Sequence, residues 1–251
     1  MDRRQFLRLT AGTLVTAPLL DGCDPPPPLQ EPLPTAPPDL DPQAWDAGRL
    51  VSFAPASVPA DGVMFALGVQ AGSMHADDQG ATLRLWTHLD GSVERLRLRA
   101  WREAPAADAI VLVKDDEVSA DADGFVKVDL AGLAPSTWYH YAFFVAATDE
   151  RKGPDLAPLL GRSEIGRVRT AWAPDWLWPV TIGATSCTHH SNAPFNALHV
   201  LAEQELDAFV HTGDLVYADG ASTRAEYRAY WRAALLDPGY RALLPRQGSY
   251  V

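Results

Sequence analysis

Cysteine is nearly absent: Cys23 and Cys187 are the two in 251 residues, too few for a disulfide framework. Basic charge is scarce too. Twenty-one lysines and arginines face 32 aspartates and glutamates, a net charge of −11. That balance argues against nucleic-acid binding and against electrostatic adhesion to anionic lipid. A phosphate-bearing ligand would have to be received by local cations, not by the overall field. Long apolar runs are missing as well, since the stretch from Leu9 to Leu20 is too short to cross a bilayer as a permanent helix.

What stands at the front is an export signal. Arg3, Arg4 and Arg8 give a basic start, Leu9 to Leu20 an apolar middle, and Gly22-Cys23 a close. Asp2-Arg-Arg-Gln-Phe-Leu-Arg8 resembles the twin-arginine motif, with Asp2 where Ser or Thr is more usual; the alternative is an ordinary secretory signal that carries two arginines. Leu20-Asp-Gly-Cys23 resembles a lipoprotein cleavage box, although Asp21 is uncommon there, and Cys23 would then be acylated. Residues 24–61 read as a proline-rich linker. Its first part, residues 24–40, cannot form helix or sheet interior and would hold a tethered domain clear of a membrane; a leader with no anchor is the alternative. Removing residues 1–22 leaves a net charge of about −12. The expectation is an exported chain, periplasmic or at the cell surface, meeting membrane through a lipid anchor only, and monomeric.

Residues 62–171 alternate with period two. Ala81–Leu89 puts Leu83, Leu85 and Leu89 on one face and Arg84 and His88 on the other, and Arg95–Trp101 alternates strictly. Strands at 110–113, 125–130, 137–147 and 166–170 complete an antiparallel sandwich. Leu133-Ala-Pro-Ser-Thr-Trp-Tyr139 has the Leu-x-Pro-x-Thr-x-Tyr spacing of the tyrosine corner in fibronectin-like sandwiches. It names a fold and no chemistry.

After the Trp-rich hinge at 172–179 the pattern changes. A buried-type strand at 180–185, a helix from about Ala193 to Gln204, a strand at 206–212 and a helix from Thr223 to Leu236 imply the start of an α/β layer with a parallel sheet. Thr223 and Glu226 have the spacing of a capping box. Ligands bind at the carboxyl ends of such strands, where Ser186-Cys-Thr-His-His190 and Thr212-Gly-Asp-Leu-Val-Tyr217 fall. If the strands are neighbours, Cys187, Asp214 and Tyr217 converge. Thiolate, carboxylate and phenolate together suit a hard, highly charged cation such as ferric iron better than zinc. Gly213 would let the chain turn so that Asp214 points into the cleft.

Taken with Phe65–Gly72, Leu85-Trp86-Thr87, Leu133-Ala-Pro135 and Gly166–Thr170, these motifs come in the order found in PhoD-type alkaline phosphatases, of the calcineurin-like metallophosphoesterases. The chain resembles that family over residues 62–251. The resemblance implies a β-sandwich followed by a metallophosphatase domain at 172–251, and export by the twin-arginine route. It implies a ferric ion held with calcium, Cys187, Asp214 and Tyr217 at ligand positions, Asp214 bridging metals, and Tyr217 colouring the protein. The implied activity is hydrolysis of a phosphate ester, small molecule or phospholipid, by a metal-bound hydroxide, with no Ser or His nucleophile. His189 completes a Cys-x-His spacing and is a possible metal or substrate contact, and His190 a lesser one. His211 reads as a core or supporting residue, Asp207 and Asp219 as solvated carboxylates.

The chain ends at Val251 without the Asp-Asp-His-Glu type motif and later ligands of that family. Two strands and two helices make too small a sheet to bury both faces. The expectation is therefore the inactive front portion of an exported phosphoesterase. The competing reading is a lipid-anchored sandwich that serves as a surface binding module, with a degenerate phosphatase remnant.

Overall fold

The computed structural model describes residues 64–91, 96–103, 110–146, 159–177 and 179–250. The twin-arginine motif, Cys23 and the proline-rich linker lie outside them.

The alternating half forms antiparallel sheets. One has the order β1 (Val69–Asp77), β2 (Gly80–His88), β5 (Phe125–Leu133). The other has the order β4 (Ile110–Val118), β3 (Leu96–Glu103), β6 (Trp138–Ala146), with β7 (Leu159–Arg162) and β8 (Gly166–Arg169) on the far edge of β6. The expected alternation is present: Leu83, Leu85 and Leu89 are buried and Arg84 is exposed. These leucines meet Leu98, Tyr141 and Phe143 in one core, where non-directional apolar burial supplies the main driving force. Gly166 is required where β8 crosses β6, because a Cβ there would sit 2.2 Å from the Tyr141 ring.

The tyrosine corner is formed. Buried Tyr139 accepts the Ala134 N–H on its hydroxyl at 2.9 Å, and Thr170 Oγ1 donates to the Ala134 carbonyl at 2.8 Å.

Two sandwich strands were not expected. In β1, Gly72-Ser73 and a register shift between Ser73 and His75 blur the period. In β7, Leu159-Leu-Gly-Arg162 does not alternate.

In the second half, β9 (Ile182–Thr185), β10 (Ala208–His211) and β11 (Ser249–Tyr250) form a parallel sheet in the order β11-β10-β9. The two-strand expectation is thus corrected: a third strand pairs through Ser249 and Tyr250, two residues that carry no periodicity of their own. Helix α1 (Asn196–Ala202) is shorter than the 193–204 expected, because a 3-10 turn at His190–Asn192 and Pro194 occupy its approach. Helix α2 (Arg224–Leu235) begins on the expected capping box, with both the Thr223 and Glu226 bonds present. Helix α3 (Pro238–Leu243) was not expected; Asp237 caps it by accepting Gly239 N–H at 2.7 Å.

Charge pairs seat the sandwich on this layer. Asp123 holds Arg224 and Arg228, Asp90 holds Arg232, and Glu164 holds Arg241. Arg169 pairs with Asp207, which also accepts Thr181 N–H at 2.8 Å. Asp207 is therefore a structural partner and not the solvated carboxylate the sequence suggested.

Candidate metal centre

Strands β9 and β10 run side by side in register, with Thr185 opposite His211, so the chain leaves both at the same edge of the sheet. The loops that follow are laced together. Thr212 N–H donates to Thr185 O at 2.8 Å, Cys187 N–H to Gly213 O at 3.2 Å, and Thr188 N–H to Asp214 O at 3.1 Å. Gly213 adopts φ 114°, the turn expected of it. Cys187 at φ 57° and Asp214 at φ 56° stand in the left-handed region, which side chains other than Gly visit at a cost. Ser136 is the one further non-Gly residue there among the described residues.

This backbone brings the three expected donors together. Tyr217 OH donates to Asp214 Oδ2 at 3.0 Å, and Cys187 Sγ lies 3.8 Å from the same oxygen. Cys187 and Asp214 are exposed and Tyr217 is half-buried. Hydrogen bonding, first with Cys187 and then with Asp214, holds the Tyr217 hydroxyl well above the ordinary phenol range. A cation would reverse that preference, because it favours the ionised form of each group it binds. Among the described residues no three of His, Cys, Asp and Glu are grouped to hold a metal, so the phenol is needed for a third donor. The set of one thiol, one carboxylate and one phenol fits a highly charged cation.

The imidazole of His189 packs on Tyr217, with ring centroids 4.7 Å apart, and its Nδ1 accepts the Ser191 N–H at 3.1 Å. Exposed His190 opens the 3-10 turn. His211 is buried, and its Nε2 lies 3.2 Å from Thr188 Oγ1; burial, partly opposed by Asp214, lowers its pKa. Asp219 is exposed.

Sequence reasoning missed Thr188 and Tyr240. The Thr188 hydroxyl donates to Leu215 O at 2.9 Å and stands 2.7 Å from the Tyr240 hydroxyl, fastening both loops to α3. No spacing marks them, since Tyr240 lies 52 residues away in sequence. Thr188, His190, Val216 and Tyr217 also line a cavity of about 230 Å³ against α2. A larger one of about 920 Å³, between the sandwich and α2, touches none of the three donors.

Two family models match in tandem: "PhoD-like phosphatase, N-terminal domain" over residues 52–172 and "PhoD-like phosphatase" over residues 182–243. No curated protein matches the chain. Among solved structures, one described as "Structure of PhoD" aligns with TM-score 0.57 and 19% identity over 74% of this chain. The chain spans 38% of that structure's length. Two structures of the sensor domain of the anti-sigma factor RsgI4 from Pseudobacteroides cellulosolvens align at TM-score 0.24, with 15% and 12% identity. They cover 42% and 41% of this chain and 96% and 76% of their own, and such low scores carry no argument. The likeness to PhoD shows the fold, and the tandem matches over most of the chain place this protein in the PhoD-like phosphatase family.

Proposed function

We propose that this chain carries the front portion of an exported, metal-dependent phosphoric ester hydrolase, with a sandwich at 62–171 and the beginning of a metallophosphatase domain at 172–251. One observation carries the reading: Cys187, Asp214 and Tyr217 converge at the ends of adjacent parallel strands. These residues would hold a ferric ion, with calcium nearby. When bound, such cations neutralise phosphate oxygens and activate water for attack on phosphorus.

The chain's own contribution is placement. Gly213 and the left-handed turns at Cys187 and Asp214 aim two donors outward. Tyr217 restrains Asp214 Oδ2, the Thr188 hydroxyl's bond to Leu215 O keeps the loop after β9 in register with the loop after β10, and its bond with Tyr240 ties both to α3. Three donors are few for a hydrolytic metal cluster, so this chain should turn over no p-nitrophenyl phosphate. In the same reading the chain leaves the cytoplasm by the twin-arginine route, is tethered through acylated Cys23, and acts on a small phosphate ester or a phospholipid as a monomer.

The deciding experiment is titration of the 251-residue chain with ferric ion under visible absorption. A tyrosinate-to-iron band should grow in, disappear in Tyr217→Phe and weaken in Cys187→Ala. A band that persists in Tyr217→Phe, or no band at all, refutes the metal assignment.

A further inference from the structure

The cavity of about 230 Å³ beside the candidate centre has a composition that its neighbour does not explain. Phe195 and Val216 line it; Phe195 belongs to the core under α1 and α3, and half-buried Val216 packs against that core. Its outer wall is one face of α2, where Ala229, Tyr230, Ala233 and Ala234 recur at helical spacing. Ala229 and Ala233 are exposed, so the cavity opens to solvent along α2, and their small side chains leave its mouth clear. Tyr230 is 39% exposed, a large ring left standing at the rim.

Tyr217 belongs to both places. Its hydroxyl donates to Asp214 Oδ2, while its side chain lines the cavity. Of the other polar groups, the Thr188 hydroxyl is already committed to Leu215 O and Tyr240, and His190 is an exposed lining residue. The cavity therefore offers mainly apolar and aromatic surface one side chain away from the donors. A cavity of about 150 Å³ accepts benzene, so this one has room for a single ring with a short substituent. Rings from Phe195, Tyr217 and Tyr230 can meet it edge-on or offset.

We infer that this cavity receives an aromatic ring on the alcohol side of a phosphate ester whose phosphoryl group sits at Cys187, Asp214 and Tyr217. The inference rests on the phosphoesterase reading and names its substrate class: esters of aromatic or benzylic alcohols, in preference to polyol or sugar phosphates.

Methyl-labelled 251-residue chain is titrated with benzyl alcohol and, separately, with glycerol, and followed by NMR. Benzyl alcohol should shift the methyl signals of Ala229, Ala233 and Val216 saturably and leave those of Val126 and Leu83 in place; glycerol should shift none. Ala233→Leu narrows the mouth of the cavity with a good helix former and should weaken benzyl alcohol binding at least about fourfold, the worth of one methylene contact. Unmoved cavity methyls, equal shifts with glycerol, or undiminished binding in Ala233→Leu overturn the inference. Neither ligand carries phosphate and no metal is added, so the result is independent of the ferric titration. Benzyl alcohol binding without iron binding refutes the phosphoesterase reading and leaves the ring site standing.

Discussion

The Thr188 and Tyr240 hydroxyls stand 2.7 Å apart, joining the loop that carries Cys187 to a helix that no motif marks. Burial foremost pushes the Tyr240 hydroxyl up to about 12, so it keeps its proton and donates. Thr188 donates its own hydrogen bond to Leu215 O. Tyr240 is fully buried, and Tyr240→Phe keeps its packing while removing one donor. The expected cost is about 1 kcal/mol by urea unfolding. Weaker ferric binding should accompany it, because the loop after β9 loses its tie to α3. Wild-type iron affinity in Tyr240→Phe would show that the tie positions nothing.

Acid should destabilise the sandwich through His140. Its ring stacks on Trp101 at 6.1 Å, and burial, with Arg167 acting in the same direction, pushes its pKa down to about 3. In the unfolded chain it titrates near 6.5, so the unfolded state takes up the proton first. The stability it contributes is complete above pH 6.5 and is lost as pH falls from there toward 3, by about 1.4 kcal/mol per pH unit. Urea midpoints at pH 8, 6.5 and 5 should be flat across the upper interval and fall across the lower. His140→Phe should reduce the fall by the share of one proton. An unchanged slope assigns the acid sensitivity to another group.

Two aspartates at the join between sandwich and parallel sheet should differ in weight. Asp123, 45% exposed, holds Arg224 and Arg228 at the surface, where water screens ion pairs. Asp123→Ala should cost little. Asp207 and Arg169 are each 14% exposed, and Asp207 also accepts Thr181 N–H. Asp207→Ala leaves a largely buried guanidinium without that partner and should cost about 3 kcal/mol. Equal losses in the two variants would contradict the burial argument.

Legibility in the sequence followed periodicity. Strand β2 and the Leu133–Tyr139 corner were readable because alternation and fixed spacing are local signals, and both appear as expected. The capping box on α2 was readable for the same reason. Strands β1 and β7 escaped because a bulge breaks one period and Leu159-Leu-Gly-Arg162 does not alternate. At the candidate centre, the approach of Cys187, Asp214 and Tyr217 followed from assuming that β9 and β10 are neighbours, which the register confirms. Thr188 and Tyr240 could not be found this way: their bond depends on how α3 packs, a long-range outcome with no sequence pattern. Asp207 was misjudged for a related reason, since its partner Arg169 lies in the sandwich.

The left-handed backbone at Cys187 and Asp214 gives the sharpest separation between stability and function. Glycine occupies φ near 57° without the Cβ clash that cysteine suffers there. Cys187→Gly should therefore raise unfolding stability by about 1 kcal/mol. Asp214→Gly should gain less, because aspartate tolerates this region better than cysteine does. Both variants delete a donor, so iron binding should fall as stability rises. That opposition is expected where a strained residue is kept for its chemistry. Circular dichroism under urea, paired with the ferric titration, measures both quantities on the same samples. A Cys187→Gly protein that is less stable than wild type would mean that the thiol's packing, and not its aim, accounts for the turn.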